Sequence, residues 1–313
     1  MRSSAACVFL ASLACGLTLW SFQSDLGDRP PVPYLAPNGS IPPGNADRRV
    51  FLDPITGDAV VLFRSANDTN EAAPQRIHVE LNRHIDPSIQ IEVNYYSSTK
   101  EWQYNYTLAN ARKARQAAVS WYFKGLTSDV CSVSVPEAWH YLFPTVLRNP
   151  EWPRLVVAAN GSSTKSNLEV GVPPGAEVTG FVFKSKLAPG IGEIYVQGKS
   201  HIIAFPVEPD DATANEFKLV YGFPYNYRKT QTLIPKIETS HTSQQISDEY
   251  LIEIRRCEEL HNCSEEFARN AAALLKQPSL SLRRIAVENL RREARSPLEK
   301  EFAKIFQFVL LPN

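Results

Sequence analysis

The sequence has no excess of either charge. Its 33 Lys and Arg are matched by 33 Asp and Glu, for a formal net charge of +0. No global field is available to draw in nucleic acid or an anionic membrane, and nucleic acid is not expected as a partner. Glycine is scarce beside proline, 14 residues against 23. Such a ratio points to extended segments and fixed turns rather than long helices. Cysteine is sparse as well, with Cys7, Cys15, Cys131, Cys257 and Cys263. None of them forms a C-x-x-C pair or a Cys/His grid, so neither a structural zinc site nor any other metal or cofactor is expected.

Catalytic signatures are missing too. There is no G-x-S-x-G elbow and no H-E-x-x-H, and the six histidines (78, 84, 140, 201, 241, 261) are scattered. The acidic stretch from Glu208 to Glu216 lacks the D-x-D-x-D-G spacing of a calcium loop and reads as a solvated turn between strands. Val172 to Gly190 carries Gly175, Gly180 and Lys184, but Phe181-Val-Phe183 separates the last glycine of that set from the lysine. A phosphate-binding loop needs the lysine directly after glycine, at a helix start. These residues favour a strand between two proline turns, with Thr179, Phe181 and Phe183 on one face and Val178, Val182 and Lys184 on the other. No catalytic residue is assigned.

What is present begins with an export signal. Arg2 precedes an uncharged apolar run from Ala5 to Phe22, the pattern of a secretory signal peptide over residues 1–23. Cleavage, lipidation at Cys15 and retention as an N-terminal membrane anchor are all compatible with these residues. Residues 24–46, rich in Pro, Gly and Asn, read as a linker. The expected location is extracellular or periplasmic.

From about residue 47 the period is two. Ile77, Val79 and Leu81 alternate with polar neighbours, as do Ile89, Ile91, Val93 and Tyr95, and then Trp102, Tyr104, Tyr106 and Leu108. Residues 50–52 and 59–63 flank Asp53-Pro-Ile-Thr-Gly57-Asp58, a hairpin turn. Further strands are expected at 118–123, 130–135, 155–159, 167–172, 177–184, 193–198, 201–207 and 217–222. Short strands with Pro/Gly/Asn turns predict a mainly β domain over 47–239, an antiparallel β-sandwich. After the polar stretch 240–247 the period turns helical from Asp248, with breaks at His261-Asn262, Pro278 and Ser296-Pro297. A small C-terminal helical unit is expected over 246–313. In an oxidising compartment Cys257 and Cys263 are close enough in sequence to form a disulfide across its first corner, while Cys131 reads as a buried strand residue.

Two blocks bear a resemblance. Val172-Pro-Pro-Gly-Ala-Glu-Val-Thr-Gly-Phe-Val-Phe-Lys-Ser185 with Leu187-Ala-Pro-Gly190, and Tyr104-Asn-Tyr-Thr-Leu-Ala-Asn110 with residues 116–123, resemble a pattern in uncharacterised secreted bacterial β-sandwich proteins. The likeness covers about residues 100–200. Glu177 replaces a usual small polar residue, and one extra residue precedes Pro189. The resemblance implies an immunoglobulin-like, exported, non-catalytic module and brings no ligand or active residues.

Surface aromatics are the remaining binding candidates. Trp102, Tyr104 and Tyr106 share an apolar face and are expected in the core, whereas Tyr96 lies on a polar face and Trp152 in a Pro-rich loop. Those two could stack on sugar rings. Arg283, Arg284, Arg291, Arg292 and Arg295 interleave with Glu288 and Glu293 as a solvated helix face. Five N-x-Ser/Thr patterns, at Asn38, Asn67, Asn105, Asn160 and Asn262, matter only in a glycosylating host. The expected role is structural or ligand-binding at the cell envelope, toward an envelope component or a glycan. The competing expectation is a secreted hydrolase or a carbohydrate-binding accessory module.

Overall fold

The computed structural model describes residues 32–63, 74–123, 130–142, 155–159, 170–199, 209–222 and 225–311. The described residues are mostly β, in three sheets, with five helices. They divide into two compact units, one drawn from Met1–His84 and Gln197–Arg228 and the other from Ile85–Val196 and Lys229–Asn313.

The smaller unit is a three-stranded antiparallel sheet of β1 (Val50–Leu52), β2 (Ala59–Phe63) and β3 (Gln75–Val79). The β1–β2 turn forms as expected. The Asp53 side chain accepts from the N–H groups of Ile55 and Thr56 at 2.7 and 2.9 Å, and the Gly57 N–H donates to the Asp53 carbonyl. All five residues of β2 are buried, because both faces of this sheet are covered. Ala59 and Val61 pack with Phe217 and Val220 on one side, and Val60 and Leu62 with Leu35 and Phe51 on the other.

Two expectations change here. Residues 32–35 are not a free linker: Val32 and Leu35 are buried, and Leu52 donates to the Pro33 carbonyl while Leu35 donates to that of Leu52, each at 2.9 Å. Proline lacks an N–H but keeps its acceptor, so it can border a sheet edge. Residues 217–222 are not a strand but lie in or just after helix α1 (Asp211–Tyr221). Asp210 caps α1 by accepting from the Thr213 N–H at 2.7 Å, and Glu216 accepts from the N–H groups of Arg49 and Val50. Capping by a short acidic side chain decides for helix over strand. The acids of 210–216 therefore build and dock a helix, where a solvated turn was expected.

The larger unit has two sheets. One has the order β4 (Pro87–Tyr96), β5 (Glu101–Asn110), β10 (Glu177–Ser185), β7 (Val130–Ser134). The other runs β12 (Arg228–Ile237), β11 (Ala188–Gly198), β6 (Ala118–Phe123), β9 (Val156–Ala159), β8 (Trp139–Leu142). The pairs β4–β5, β5–β10, β10–β7, β6–β9 and β9–β8 are antiparallel. Side chains of the two sheets meet in an aromatic core. Trp121 lies edge-on to Phe181 at 5.2 Å, Trp139 edge-on to Phe181 at 5.1 Å, and Tyr106 against Phe183 at 5.2 Å. Each such fully buried ring contributes roughly 2–3 kcal/mol relative to exposure. The phenols also find acceptors: Tyr104 donates to the Leu187 carbonyl at 2.7 Å and Tyr106 to that of Leu233 at 3.0 Å. The arrangement is β-sandwich-like.

Helices α2 (Ser243–Glu259), α3 (Glu265–Leu275), α4 (Leu280–Glu293) and α5 (Pro297–Leu310) belong to this same unit and share its hydrophobic core. Helix α2 starts five residues before the periodic stretch that first suggests it, because Thr242 and Gln245 form a reciprocal capping box. Helix α5 closes the free edge of β4, where Glu301 accepts from the Val93 N–H at 2.9 Å and Phe308 packs on Tyr95 and Trp102. An edge strand blocked this way presents fewer unpaired N–H groups for aggregation.

Candidate functional site

The fold leaves the outer face of the β4–β5–β10 sheet open. Alternation along β4 sends Val93 and Tyr95 toward the core and helices, so Ser88, Gln90, Glu92, Asn94 and Tyr96 share the other side. Register places Gln90 opposite Thr107, Glu92 opposite Asn105, and Asn94 opposite Gln103. The outcome is a ladder of amides, hydroxyls and a carboxylate, with Tyr96 exposed at 45% at its end. Within it Gln103 donates to Asn105 at 2.9 Å and Asn94 to Glu92 at 3.3 Å.

Two shallow hollows occupy this face. One, of about 310 Å³, is lined by Gln90, Glu92, Asn105, Thr107 and Thr179 around Gly180. It sits where the β5–β10 register slips between Val178 and Phe181. Gly180 has φ +92°, a left-handed conformation that glycine adopts without strain. This bulge turns Thr179 outward while Phe181 and Phe183 stay buried. The expectation that Thr179 shares the Phe181/Phe183 face is thus corrected: one inserted residue breaks the period of two.

The second hollow, of about 320 Å³, is lined by Ser88, Asn110, Arg112, Gly175 and Glu177 among others. Asn110 organises its floor. Its amide group donates to the carbonyls of Gln116 and Val172 at 2.8 and 3.0 Å and accepts from the Asp86 N–H at 3.0 Å. Its backbone carbonyl takes the Gly175 N–H at 2.7 Å. The Pro173-Pro174-Gly175 turn and the asparagine that closes the Tyr104–Asn110 block are therefore one hydrogen-bonded unit. Both blocks stand out in the sequence, but their meeting does not. The buried asparagine at the end of a strand, just before a polar turn, was the available signal.

The other candidates fall as follows. Trp152 lies outside the described residues. Cys257 and Cys263 are free thiols here and not a formed disulfide, and each is buried. Their thiols are near enough to shift one another, Cys263 downward and Cys257 upward. Cys131, expected to be buried, is exposed, since β7 is an edge strand whose Cys131 position faces away from the core. Pairs of titratable groups do form. His84 is bonded to Asp58, and His241 contacts Glu249 at 2.6 Å and Glu238 at 3.4 Å. Burial alone would raise the Asp58 carboxyl, but hydrogen bonds from His84 and the Leu81 N–H outweigh it and bring it down to about 2. Among the described residues no group of three or more His, Cys, Asp or Glu is placed to hold a metal ion. No helix among them is long and apolar enough to cross a membrane.

No protein-family model matches this chain, and no curated protein does. Among solved structures, it is similar to an uncharacterized protein from Nocardia farcinica with an immunoglobulin-like fold. That likeness covers 47% of this chain and 98% of the other, at 11% identity and a TM-score of 0.26.

Proposed function

We propose that the protein is an exported, non-catalytic β-sandwich of immunoglobulin-like type that binds a glycan at the cell envelope. The observation that carries this reading is the outer face of the β4–β5–β10 sheet. There Gln90, Glu92, Asn105, Thr107 and Thr179 surround a hollow, with Asn94 and the exposed Tyr96 further along the same side. Amides offer donors and acceptors together, the carboxylate accepts, and a phenol ring gives an apolar platform. A hydroxyl-rich ring needs that mixture: hydrogen bonds at its edges and a flat apolar surface beneath. Export rests on Arg2 and the apolar run to Phe22.

A glycan array probed with the full mature chain tests the binding. Retention of a neutral oligosaccharide is expected, and Tyr96→Ala and Glu92→Ala should each weaken it about tenfold, the equivalent of about 1.4 kcal/mol. Their unfolding midpoints should stay at the wild-type value, because both side chains are exposed. An array blank for the wild-type chain removes the glycan reading. Cell fractionation with N-terminal sequencing of the mature protein tests the export separately.

A further inference from the structure

The corner between α2 and α3 is a Schellman turn. Leu260 caps α2, His261 takes a left-handed conformation at φ 56°, and its N–H donates to the Glu258 carbonyl at 2.9 Å. The Asn262 N–H then reaches back to the Cys257 carbonyl, also at 2.9 Å. This paired bonding folds the chain so that the next residue lies over the last helical turn. That next residue is Cys263, and the last-turn residue beneath it is Cys257. Both belong to one hydrophobic cluster. The corner is at the surface, with Leu260, His261 and Ser264 exposed beside it.

We infer that Cys257 and Cys263 are a covalent modification site, a dithiol that a low-molecular-weight disulfide converts to an intrachain disulfide. The Cys263 thiolate attacks one sulfur of the small disulfide and expels the other half as a thiolate. Cys257 then gives up its proton to solvent, and its sulfur attacks the mixed disulfide at Cys263, releasing the second half. The protein loses two protons and two electrons, and the small disulfide is reduced to two thiols. Cys263 is the attacking residue for two reasons. It is the more exposed, at 9% against 0% for Cys257. The neighbouring Cys257 thiol also lowers that of Cys263, while Cys263 and burial push the Cys257 thiol up. The product ties the end of α2 to Ser264, which caps α3.

The test uses the reduced full chain with Cys7, Cys15 and Cys131 each replaced by Ser, which leaves Cys257 and Cys263 as its two thiols. Incubation with oxidised glutathione and peptide mapping without reductant should give a Cys257–Cys263 cross-link. The mass should fall by about 2 Da and be restored by dithiothreitol. The oxidised form should unfold about 5 °C higher, as expected for closing a short loop. Cys257→Ser should instead trap glutathione on Cys263. Full alkylation of Cys257 and Cys263 after incubation, or cross-links only between chains, overturns the inference. The oxidant is added in vitro, so the result does not depend on where the chain resides.

Discussion

Two sets of glutamates in the larger unit are in opposite situations. At the helices, Glu253 and Glu299 are 4% and 2% exposed, and every carboxylate oxygen is engaged. Glu253 accepts from the Ile191 N–H at 2.6 Å and from Lys236 at 2.5 Å, which joins α2 to β11 and β12. Glu299 accepts from the N–H and hydroxyl of Ser264 and from the N–H groups of Arg295 and Ser296, which joins the starts of α3 and α5. On the outer sheet face Glu92 and Glu177 are exposed and line the two hollows. A buried carboxylate is tolerated where its charge is fully partnered, and it is then part of the scaffold. An exposed one keeps acceptor positions open to solvent.

The sharpest way to break this contrast is Glu253→Ala. It leaves Lys236 only the Ile191 carbonyl and solvent as partners, and leaves the Ile191 N–H without its acceptor. A loss of about 3 kcal/mol is expected in urea unfolding, the low end for breaking a buried ion pair because the Lys236 side chain is 34% exposed. A midpoint equal to wild type would mean that apolar packing alone holds α2. Gly190 bears on the same contact. A Cβ there would sit 2.9 Å from Lys236 Cδ and 3.4 Å from Glu253 Cδ, so this position needs glycine for close approach.

Glu299→Ala should cost less, about 2 kcal/mol, because the freed groups lie at helix starts that water can partly reach. Burial would raise the Glu299 carboxyl, but the backbone N–H groups of Ser264, Ser296 and Arg295 prevail and lower it. Since Ser264 follows Cys263, the loss should also loosen the dithiol corner. Faster amide exchange at the start of α3 than in the rest of the helix would register that. Uniform exchange across α3 would place the damage in α5 alone.

The strands that build the site were legible where the period of two is unbroken, as in β4 and β5. The same patterning separated Tyr96 from Trp102, Tyr104 and Tyr106. It failed where one residue carries two meanings. Pro189-Gly190 reads as a turn like Pro174-Gly175, yet both residues are buried inside β11. Nothing local separates the two dipeptides; Asn110 waits at one and the Lys236–Glu253 pair at the other. Strand β12, which carries Pro235, is not among the strands expected from the sequence. It is an edge strand, so one missing N–H costs it no ladder bond. The polar face was legible as a row of side chains but not as hollows, since these depend on the Gly180 bulge and on pairing across strands.

Asp58 tests the intermediate case, a carboxylate in the smaller unit whose partner is a histidine. Its folded value of about 2 lies below the ordinary 3.8. A depressed acid stabilises the fold fully above its ordinary value, and the gain is lost as pH falls toward the folded value. Asp58→Asn should therefore cost about 1 kcal/mol near neutral pH, after discounting for solvent screening. The gap between variant and wild type should hold down to about pH 4 and close by about pH 2. A gap that persists unchanged at pH 2 would show that the Asp58 oxygen matters only as a neutral acceptor for the Leu81 N–H, and that its charge adds nothing to the contact with His84.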